Sequence, residues 1–398
     1  LIGGGELATL STLSYFYGIS GIYLFVGFSL GFIFLIFLVK FIRKGLQENL
    51  LHSLPDYFYV KYGKVSGFLT TILSFIAFLS LLIIQFSAGA LILSTITGWS
   101  YELSVLITGS VIAIYLISGG FRSVLVTDII QGIVMLLLLP ILLWALQESK
   151  SIETVTASFE KIDTLAILSF VFTGLFVVSA SSDIWQRIYA AKSNKSAKTA
   201  LFIASILFIL FGFGLTGIGI FAKEGLTNID PNNAFVESVT TLLPSWAVTV
   251  VILLVFSSIM STADTEIFLL SSIMSREITR WKGGYKSNAE TSNGTSISLA
   301  RWSVVMITLL GFSLSIFLDE LVDIYIFLLS VILIISPPLL LGLWLKLNDK
   351  VVSISIMLSL ITFILLILIK SLNADNLVLI VLPGIVYTVI SKLLIKQN

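Results

Sequence analysis

The chain consists of repeated apolar runs, most of them about 20 residues long, separated by short polar breaks. A helix of about 20 residues, at about 1.5 Å each, spans the hydrocarbon core of a bilayer. Backbone groups in lipid must hydrogen-bond within the protein, and the runs lack the alternation of strands, so an all-α polytopic membrane protein is predicted. The predicted spans, eleven full helices and a fragment of another, are 1–17 (partial), 18–41, 65–97, 102–118, 123–147, 164–190, 197–222, 245–275, 298–318, 321–345, 350–370 and 376–395.

Composition agrees with this class and excludes several others. Hydrophobic residues make up 57% of the chain and charged residues only 11%. The chain has no cysteine, which excludes disulfides, thiolate chemistry and Fe–S clusters, and its one histidine, His52, lies in a charged loop. An intramembrane enzyme would cluster His, Asp or Cys at one membrane face, and no such cluster is visible in the sequence, so we do not expect an enzyme. The net charge of +1 gives no indication of nucleic-acid binding.

Basic residues predict the orientation. Nineteen of the 23 lysines and arginines fall on the side of the 42–64 loop, and only Lys150, Lys161, Lys223 and Lys370 fall on the other. The positive-inside rule therefore places the 42–64 loop in the cytoplasm and predicts a multi-pass protein of a plasma membrane, bacterial or archaeal. The outer loop 223–244 contains a short amphipathic stretch, for which we expect a lid-like helix. The chain starts at Leu1 rather than Met, directly in an apolar run, so we also expect its natural N-terminus to precede Leu1.

The order of the spans predicts an internal symmetry. Spans one to five (1–147) and six to ten (164–346) enter the membrane in opposite senses, because five is odd. Two peripheral helices (350–395) complete a single transmembrane domain over 1–398. Inverted repeats of this kind place solute and ion sites at broken helices near the midplane.

Small residues mark two places where such breaks are easy. The first span contains Gly3-Gly4-Gly5, and the sixth contains Ser179-Ala180-Ser181-Ser182 after Gly174. Taken alone, these runs are equally well explained as helix-packing faces.

Asp128 is a single carboxylate about six residues inside span 123–147, at a depth of about 9 Å. A charge in hydrocarbon is expensive and usually functional, commonly part of an ion or proton pathway. In the eighth span Ser258, Ser261, Thr262 and Thr265 follow i, i+3, i+4, i+7 spacing and line one helical face. This stripe is either helix–helix glue or part of an oxygen shell for a small hard cation such as sodium.

Four motifs resemble segments of the sodium/solute symporter family, in the family's order. They are LHSLPDYFYVKYGKVSG (51–67), YLISGGFRSVLVTDIIQGIVM (115–135), SSDIWQRIYAAKS (181–193) and SSIMSTAD (257–264). The resemblance implies the LeuT-type five-plus-five inverted-repeat fold, with a truncated first core helix and extra peripheral helices. It also implies sodium-coupled symport of a small organic solute into the cell by alternating access.

The resemblance also implies roles for individual residues. Ser261 and Thr262 would supply side-chain oxygens to Na⁺, Ser258 and the region around Ile2 backbone carbonyls, and Asp128 the neighbouring acid. Glu6 follows the glycine break, where family members contact solute, although a carboxylate facing a water-filled vestibule or neutralised by protonation is an equal alternative.

Further candidates follow from position. Gly5, Gly174 and Ser181 are candidates for solute binding because they lie at the two breaks. Gln85 and Ser87 could line the same pocket, or form hydrogen bonds between helices. Asp183 is expected to pair with Arg187 or another basic residue as a gate or structural element.

Two other functions stay open at this point: a symporter-like membrane sensor and a sodium-independent facilitator. Glu6 favours a cationic, amino or polyhydroxy solute, and the sequence has no mid-span arginine that would form an obvious carboxylate clamp. Sugars, amino acids, nucleosides, urea and organic acids all stay open as solutes.

Overall fold

A computed structural model describes residues 3–49, 53–112, 114, 136–138, 140–144, 147, 164–283 and 295–395. Its helices are α1 (Gly4–Tyr17), α2 (Gly21–Asn49), α3 (Leu54–Lys61), α4 (Lys64–Thr97), α5 (Tyr101–Ile112), α6 (Thr164–Ala180), α7 (Ser182–Ala190), α8 (Asn194–Gly225), α9 (Ala234–Leu242), α10 (Ser245–Gly283), α11 (Thr295–Phe317), α12 (Leu321–Leu341), α13 (Asp349–Leu368) and α14 (Val381–Ile395).

Most of these helices match predicted spans. Within the described residues, seven helical stretches are long and apolar enough to cross a membrane, or eight if the bent pair α6 and α7 is one span. The outer loop contains the expected short helix, α9, preceded by a 3₁₀ turn at Pro231–Asn233. Most of span 123–147 lies outside the described residues.

The chain divides into two compact units. Unit 1 comprises Leu1–Gly21, Phe78–Lys161 and Phe213–Tyr325, and unit 2 comprises Ile22–Ala77, Ile162–Gly212 and Ile326–Asn398. This division does not test the predicted repeats 1–147 and 164–346, which stay predictions.

In unit 1, α1 packs against α10 and α9. Helix α8 also approaches α1 closely, because it brings a glycine to that interface. A Cβ at Gly219 on α8 would lie 2.6 Å from the Ser14 Cβ and 2.8 Å from the Tyr15 amide nitrogen. The buried face of α1 includes Thr9, Ser11 and Thr12, whose hydroxyls donate to carbonyl oxygens four residues earlier. Polar side chains are therefore satisfied within the helix and leave its surface free to pack.

In unit 2, the start of α4 is fastened to the connection between α12 and α13. The Asp349 carboxylate accepts hydrogen bonds from the Ser66 amide (2.9 Å), the Val65 amide (3.2 Å) and the Ser66 hydroxyl. Lys61 Nζ donates to the Gly342 carbonyl oxygen at 2.6 Å. A carboxylate at a helix N-terminus is favoured by the exposed amides there. The 61–66 turn thus holds both ends of the 342–349 segment.

Candidate functional site

The first helix begins at a cluster of glycines in unit 1. Gly3 is the N-cap residue of α1 with extended backbone (φ −75°, ψ 158°), and its amide donates to Glu6 Oε2. Glu6 is the third residue of the helix, where a carboxylate is stabilised by the unpaired amides and the helix dipole. The chain is therefore extended at Gly3 and turns into α1 beside a carboxylate.

Close approach to α10 explains why this start needs glycine. A Cβ at Gly4 would collide with the Val255 carbonyl oxygen and lie 2.6 Å from Ile259 Cγ1. A Cβ at Gly3 would lie 2.7 Å from the Thr262 hydroxyl oxygen. The glycines allow the backbones of α1 and α10 to approach closely. They thereby place the beginning of α1 next to the hydroxyl stripe of α10.

The stripe itself has the burial expected of an internal face. Ser258 is buried, while Ser261, Thr262 and Thr265 are half-buried. Thr262 is the member next to Gly3. In transporters with broken helices, carbonyl oxygens of unwound backbone coordinate Na⁺. Hydroxyl oxygens are neutral oxygen ligands of the same kind, so the described part of the predicted set is chemically suited to that ion.

Two of the predicted sodium ligands, Asp128 and Ile2, lie outside the described residues. Their roles stay predictions.

Gln85 of α4 completes the polar surroundings of the α1 start. Its side chain is fully buried, and Oε1 accepts a hydrogen bond from the Gly5 amide at 2.9 Å. A Cβ at Gly3 would lie 2.8 Å from Gln85 Nε2 and 3.0 Å from Glu6 Oε2, in addition to its contact with Thr262. An amide, a carboxylate and a hydroxyl therefore converge on Gly3, and we call these three side chains with Gly3 the glycine-break cluster.

One group of this cluster has no partner. Among the described residues nothing accepts a hydrogen bond from Gln85 Nε2. A buried donor without an acceptor costs about 1–3 kcal/mol, and an acceptor atom on a bound solute would remove that cost. This is a signal that sequence alone does not give.

Ser87, the other α4 candidate, lies in a different contact. Its hydroxyl donates to the Leu318 carbonyl oxygen at 3.0 Å, just beyond the end of α11. Tyr101 donates to the nearby Ser315 carbonyl oxygen at 2.8 Å. Ser87 thus forms a hydrogen bond between helical segments, which was the alternative to solute binding. Its contact with solute stays a prediction.

The second predicted break lies in unit 2, where α6 and α7 meet at Ser181 with a bend of 47°. The Ser181 hydroxyl donates to the Asp183 carboxylate, and Trp185 Nε1 donates to the Ser179 carbonyl oxygen at 2.9 Å. Arg187 Nε lies 3.9 Å from Asp183 Oδ2, the pairing expected from sequence. The Ser182 hydroxyl lies 2.9 Å from the Ser74 hydroxyl of α4, so these polar groups of the bend already have partners within unit 2.

Gly174 lies in a helix-packing contact of unit 2. A Cβ there would lie 2.5 Å from the Leu24 carbonyl oxygen and 2.7 Å from the Phe28 amide nitrogen of α2. Gly27 faces it with an equally close approach to α6. The packing explanation accounts for this glycine, and its predicted solute contact is untested.

Sequence reasoning missed an aromatic box around Lys61 in unit 2. Lys61 Nζ lies 4.9 Å from the ring centroid of Tyr57 and 5.2 Å from those of Phe41 and Tyr62. Burial lowers the pKa of Lys61 to about 8 and raises those of Tyr57 and Tyr62. The available signal was the i, i+4 spacing of Tyr57 and Lys61 in DYFYVKYG.

Solved structures share this fold. A Na⁺-coupled sialic acid symporter, solved in a substrate-bound outward-open state, superposes with a TM-score of 0.74 at 16% identity, covering 99% of this chain and 90% of that one. Mhp1, a nucleobase-cation-symport-1 family transporter, gives 0.56 at 13% identity over 98% of this chain and 91% of its own. The predicted LeuT-type fold is confirmed.

Two named symporters are similar to this chain in sequence. The sodium/pantothenate symporter of Haemophilus influenzae is 24% identical over 256 residues, 60% of this chain and 53% of that protein. The sodium/proline symporter of the same organism is 27% identical over 293 residues, 67% of this chain and 57% of that protein. The aligned part of this chain therefore covers a little over half the length of these relatives.

The family model of the sodium:solute symporter family matches residues 1–355. That match includes α1, α4 and α10, which carry the glycine-break cluster, and all four motifs of the sequence. The chain is a multi-pass membrane protein and belongs to the sodium:solute symporter family.

Proposed function

We propose that this chain forms the core of a sodium-coupled symporter that carries a small organic solute into the cell, and that the glycine-break cluster is where ion and solute meet. The carrying observation is the approach of Gly3 to the Thr262 hydroxyl. It places an extended backbone segment beside a helix face that is lined with hydroxyl oxygens. Neither feature alone would form a binding site.

The cluster divides into an ion side and a solute side. Thr262 and its neighbours Ser261 and Ser258 on α10 would bind Na⁺ with carbonyl oxygens from the start of α1, and Asp128 would add the charge that favours a cation. Glu6 Oε2 and Gln85 Nε2, which lie with the Thr262 hydroxyl around the same point beside Gly3, form the solute side and would bind solute. Glu6 accepts and Gln85 Nε2 donates, so a solute bearing both a donor and an acceptor fits best, such as an amino or hydroxylated compound.

Coupling follows from the shared backbone. Sodium bound between α1 and α10 would fix the extended Gly3 and the first turn of α1, whose Gly3 and Gly5 amides orient Glu6 and Gln85. Each ligand then stabilises the arrangement that the other needs, which is a reciprocal coupling free energy. Alternating access would release both ligands on the cytoplasmic side.

The available driving force is adequate. One charge moving through about 100 mV yields about 2.3 kcal/mol, and a tenfold sodium gradient adds about 1.4 kcal/mol. Together they support accumulation of about 500-fold per sodium ion. One ion is enough for nutrient uptake across a bacterial plasma membrane, the location that the relatives and the basic-residue asymmetry support.

The decisive test is uptake by the protein reconstituted in proteoliposomes, with and without an inward sodium gradient. The panel starts with proline, pantothenate and sialic acid, for which similar proteins are named, and extends to amino acids, sugars and nucleosides. We expect at least one solute to accumulate only with sodium. Equal uptake without sodium would indicate a facilitator and would refute the coupling.

The ion side is tested by Ser261→Ala combined with Thr262→Ala. We expect the sodium concentration for half-maximal uptake to rise more than tenfold. Ser271→Ala is the matched control, because Ser271 is a buried serine of the same helix whose hydroxyl bonds to the Ile267 carbonyl oxygen at 2.7 Å. If the double variant and the control behave alike, the stripe is packing and the ion site lies elsewhere.

A further inference from the structure

We infer that unit 2 contains a binding site for the phosphate headgroup of an anionic phospholipid, between the start of α13 and the end of α14. The site is separate from the glycine-break cluster, and nothing in the proposed transport cycle uses its residues. It consists of a cavity, two lysines and an adjoining apolar surface.

The cavity has a volume of about 290 Å³ and is lined by Lys346, Leu347, Asn348, Val351, Ser391 and Lys392. A water molecule occupies about 30 Å³, so the space is large enough for a glycerophosphate group. Its lining combines two lysines, an asparagine and a serine with two apolar residues, and contains no carboxylate.

Among the described residues, no carboxylate neutralises the positive charge of either lysine. Lys392 Nζ donates to the Lys346 carbonyl oxygen at 3.3 Å, which holds the two residues together. Within the part of the chain that the structure describes, neither ammonium group forms an ion pair. The nearest acid along the chain, Asp349, is bonded to the amides at the start of α4. The cavity therefore carries positive charge that favours an anion.

The start of α13 adds to this preference. Asn348 is its N-cap residue, with Oδ1 accepting from the Val351 amide at 2.9 Å. The helix is 20 residues long, so its dipole places partial positive charge at the cavity. The two lysines and the dipole act on the same space.

The surroundings favour a lipid over a soluble anion. Leu393 and Leu394, which follow Lys392, are each 61% exposed, and Trp344, two residues before Lys346, is 66% exposed. Exposed leucines at the end of a spanning helix face acyl chains, and tryptophan is typical of the headgroup level. Lys346 and Lys392 also belong to the predicted cytoplasmic set, and basic pockets between spanning helices on that side bind anionic headgroups.

The test is the affinity of the purified full chain for phosphatidylglycerol, titrated in detergent and followed by native mass spectrometry and by thermal unfolding. We expect retained lipid adducts and a raised melting temperature with phosphatidylglycerol but not with phosphatidylcholine. Each lysine near an anionic lipid contributes about 1 kcal/mol, so K346Q/K392Q should weaken binding about 30-fold.

The control is K350Q/K195Q, which removes two exposed lysines of the same predicted face that do not line the cavity. It should bind phosphatidylglycerol as the unmodified chain does. An equal loss in both double variants would mean diffuse attraction to surface charge and would overturn the site. Inorganic phosphate is the third arm, and full competition at equal phosphate concentration would overturn the assignment to a lipid.

Discussion

The start of α1 and the bend between α6 and α7 both consist of small residues but differ in how their polar groups are satisfied. At the start of α1, carboxylate, amide and hydroxyl converge on Gly3, and Gln85 Nε2 has no acceptor among the described residues. At Ser181 the hydroxyl is bonded to Asp183 and the neighbouring Ser179 carbonyl oxygen to Trp185. A break with an unused donor can take a ligand without losing existing bonds, whereas a break that is satisfied internally must give bonds up. The first is therefore suited to binding and the second to holding a fixed bend.

The largest difference is expected when the acid at each break is removed. Glu6→Ala should reduce sodium-driven uptake by at least about 10-fold, because a hydrogen bond to a charged group contributes about 1.5–3 kcal/mol and Glu6 is half-buried at the start of α1. Asp183→Ala should change uptake by less than about threefold, since its pair with the exposed Arg187 is a surface ion pair worth little. Initial rates in proteoliposomes, normalised to inserted protein, measure both. Equal losses would erase the contrast between the breaks.

Replacing Gly4 and Gly174 by alanine, one at a time, distinguishes an effect on sodium binding from an effect on stability. Gly4→Ala and Gly174→Ala both place Cβ against backbone, so each should lower stability by about 1–3 kcal/mol. Only Gly4→Ala should also weaken sodium binding, because it pushes α1 away from Thr262. Thermal unfolding measures the first effect, and the sodium dependence of uptake measures the second. A shift in sodium affinity with Gly174→Ala would contradict the assignment of that glycine to packing.

Gln85→Met tests the unused donor. The substitution keeps volume and removes the unsatisfied N–H, but it leaves the buried Gly5 amide without its acceptor. Each unsatisfied donor costs about 1–3 kcal/mol, so the two effects offset and stability without solute should change by less than about 1 kcal/mol. Solute affinity should fall about tenfold while sodium affinity is retained. Unchanged solute affinity would exclude Gln85 from the solute side of the cluster.

The smallest effect is expected at Lys61 in unit 2. Its pKa in the folded protein is lowered to about 8 by burial, whereas in the unfolded chain it is about 10.4. Between these two pH values the unfolded state binds more protons than the folded state, so Lys61 makes the free energy of unfolding rise with pH. Well below pH 8 the lysine is protonated in both states and adds no pH dependence. Tyr57 and Tyr62 have raised pKa values and stay neutral in this window.

The comparison with Lys61→Met isolates this residue, because methionine fills the aromatic box without titrating. From pH 8 to 9.5 the melting temperature of the unmodified chain should rise relative to the variant by about 1 °C, a small value because the side chain is partly exposed. Parallel curves would show that Lys61 does not titrate in this range.

The fold was largely predictable because hydrophobic length is a local property. Predicted spans 65–97 and 376–395 correspond closely to the helices Lys64–Thr97 and Leu377–Leu394, and the outer helix α9 lies in the predicted loop. The predicted span 164–190 needed refinement, since it bends by 47° at Ser181. Small residues there indicated where bending is cheap, but not that it occurs.

The site was predictable only in part, because its contacts join distant parts of the chain. The hydroxyl stripe follows from spacing on one helix, but the approach of Gly3 to Thr262 joins residues more than 250 positions apart. The unused Gln85 donor and the Lys61 box depend equally on tertiary packing. Local patterns identify which groups are available, and only the structure shows which of them meet.

The double attachment of the 342–349 segment has a consequence for experiments on motion. Since Lys61 bonds to Gly342 and Asp349 bonds to Ser66, the loop helix α3 cannot shift far without carrying that connection with it. A nanobody bound to α3 would therefore also restrict the movement of the end of α12. A fluorescent label on α3 would report displacement of α12 without any dye in the transport pathway.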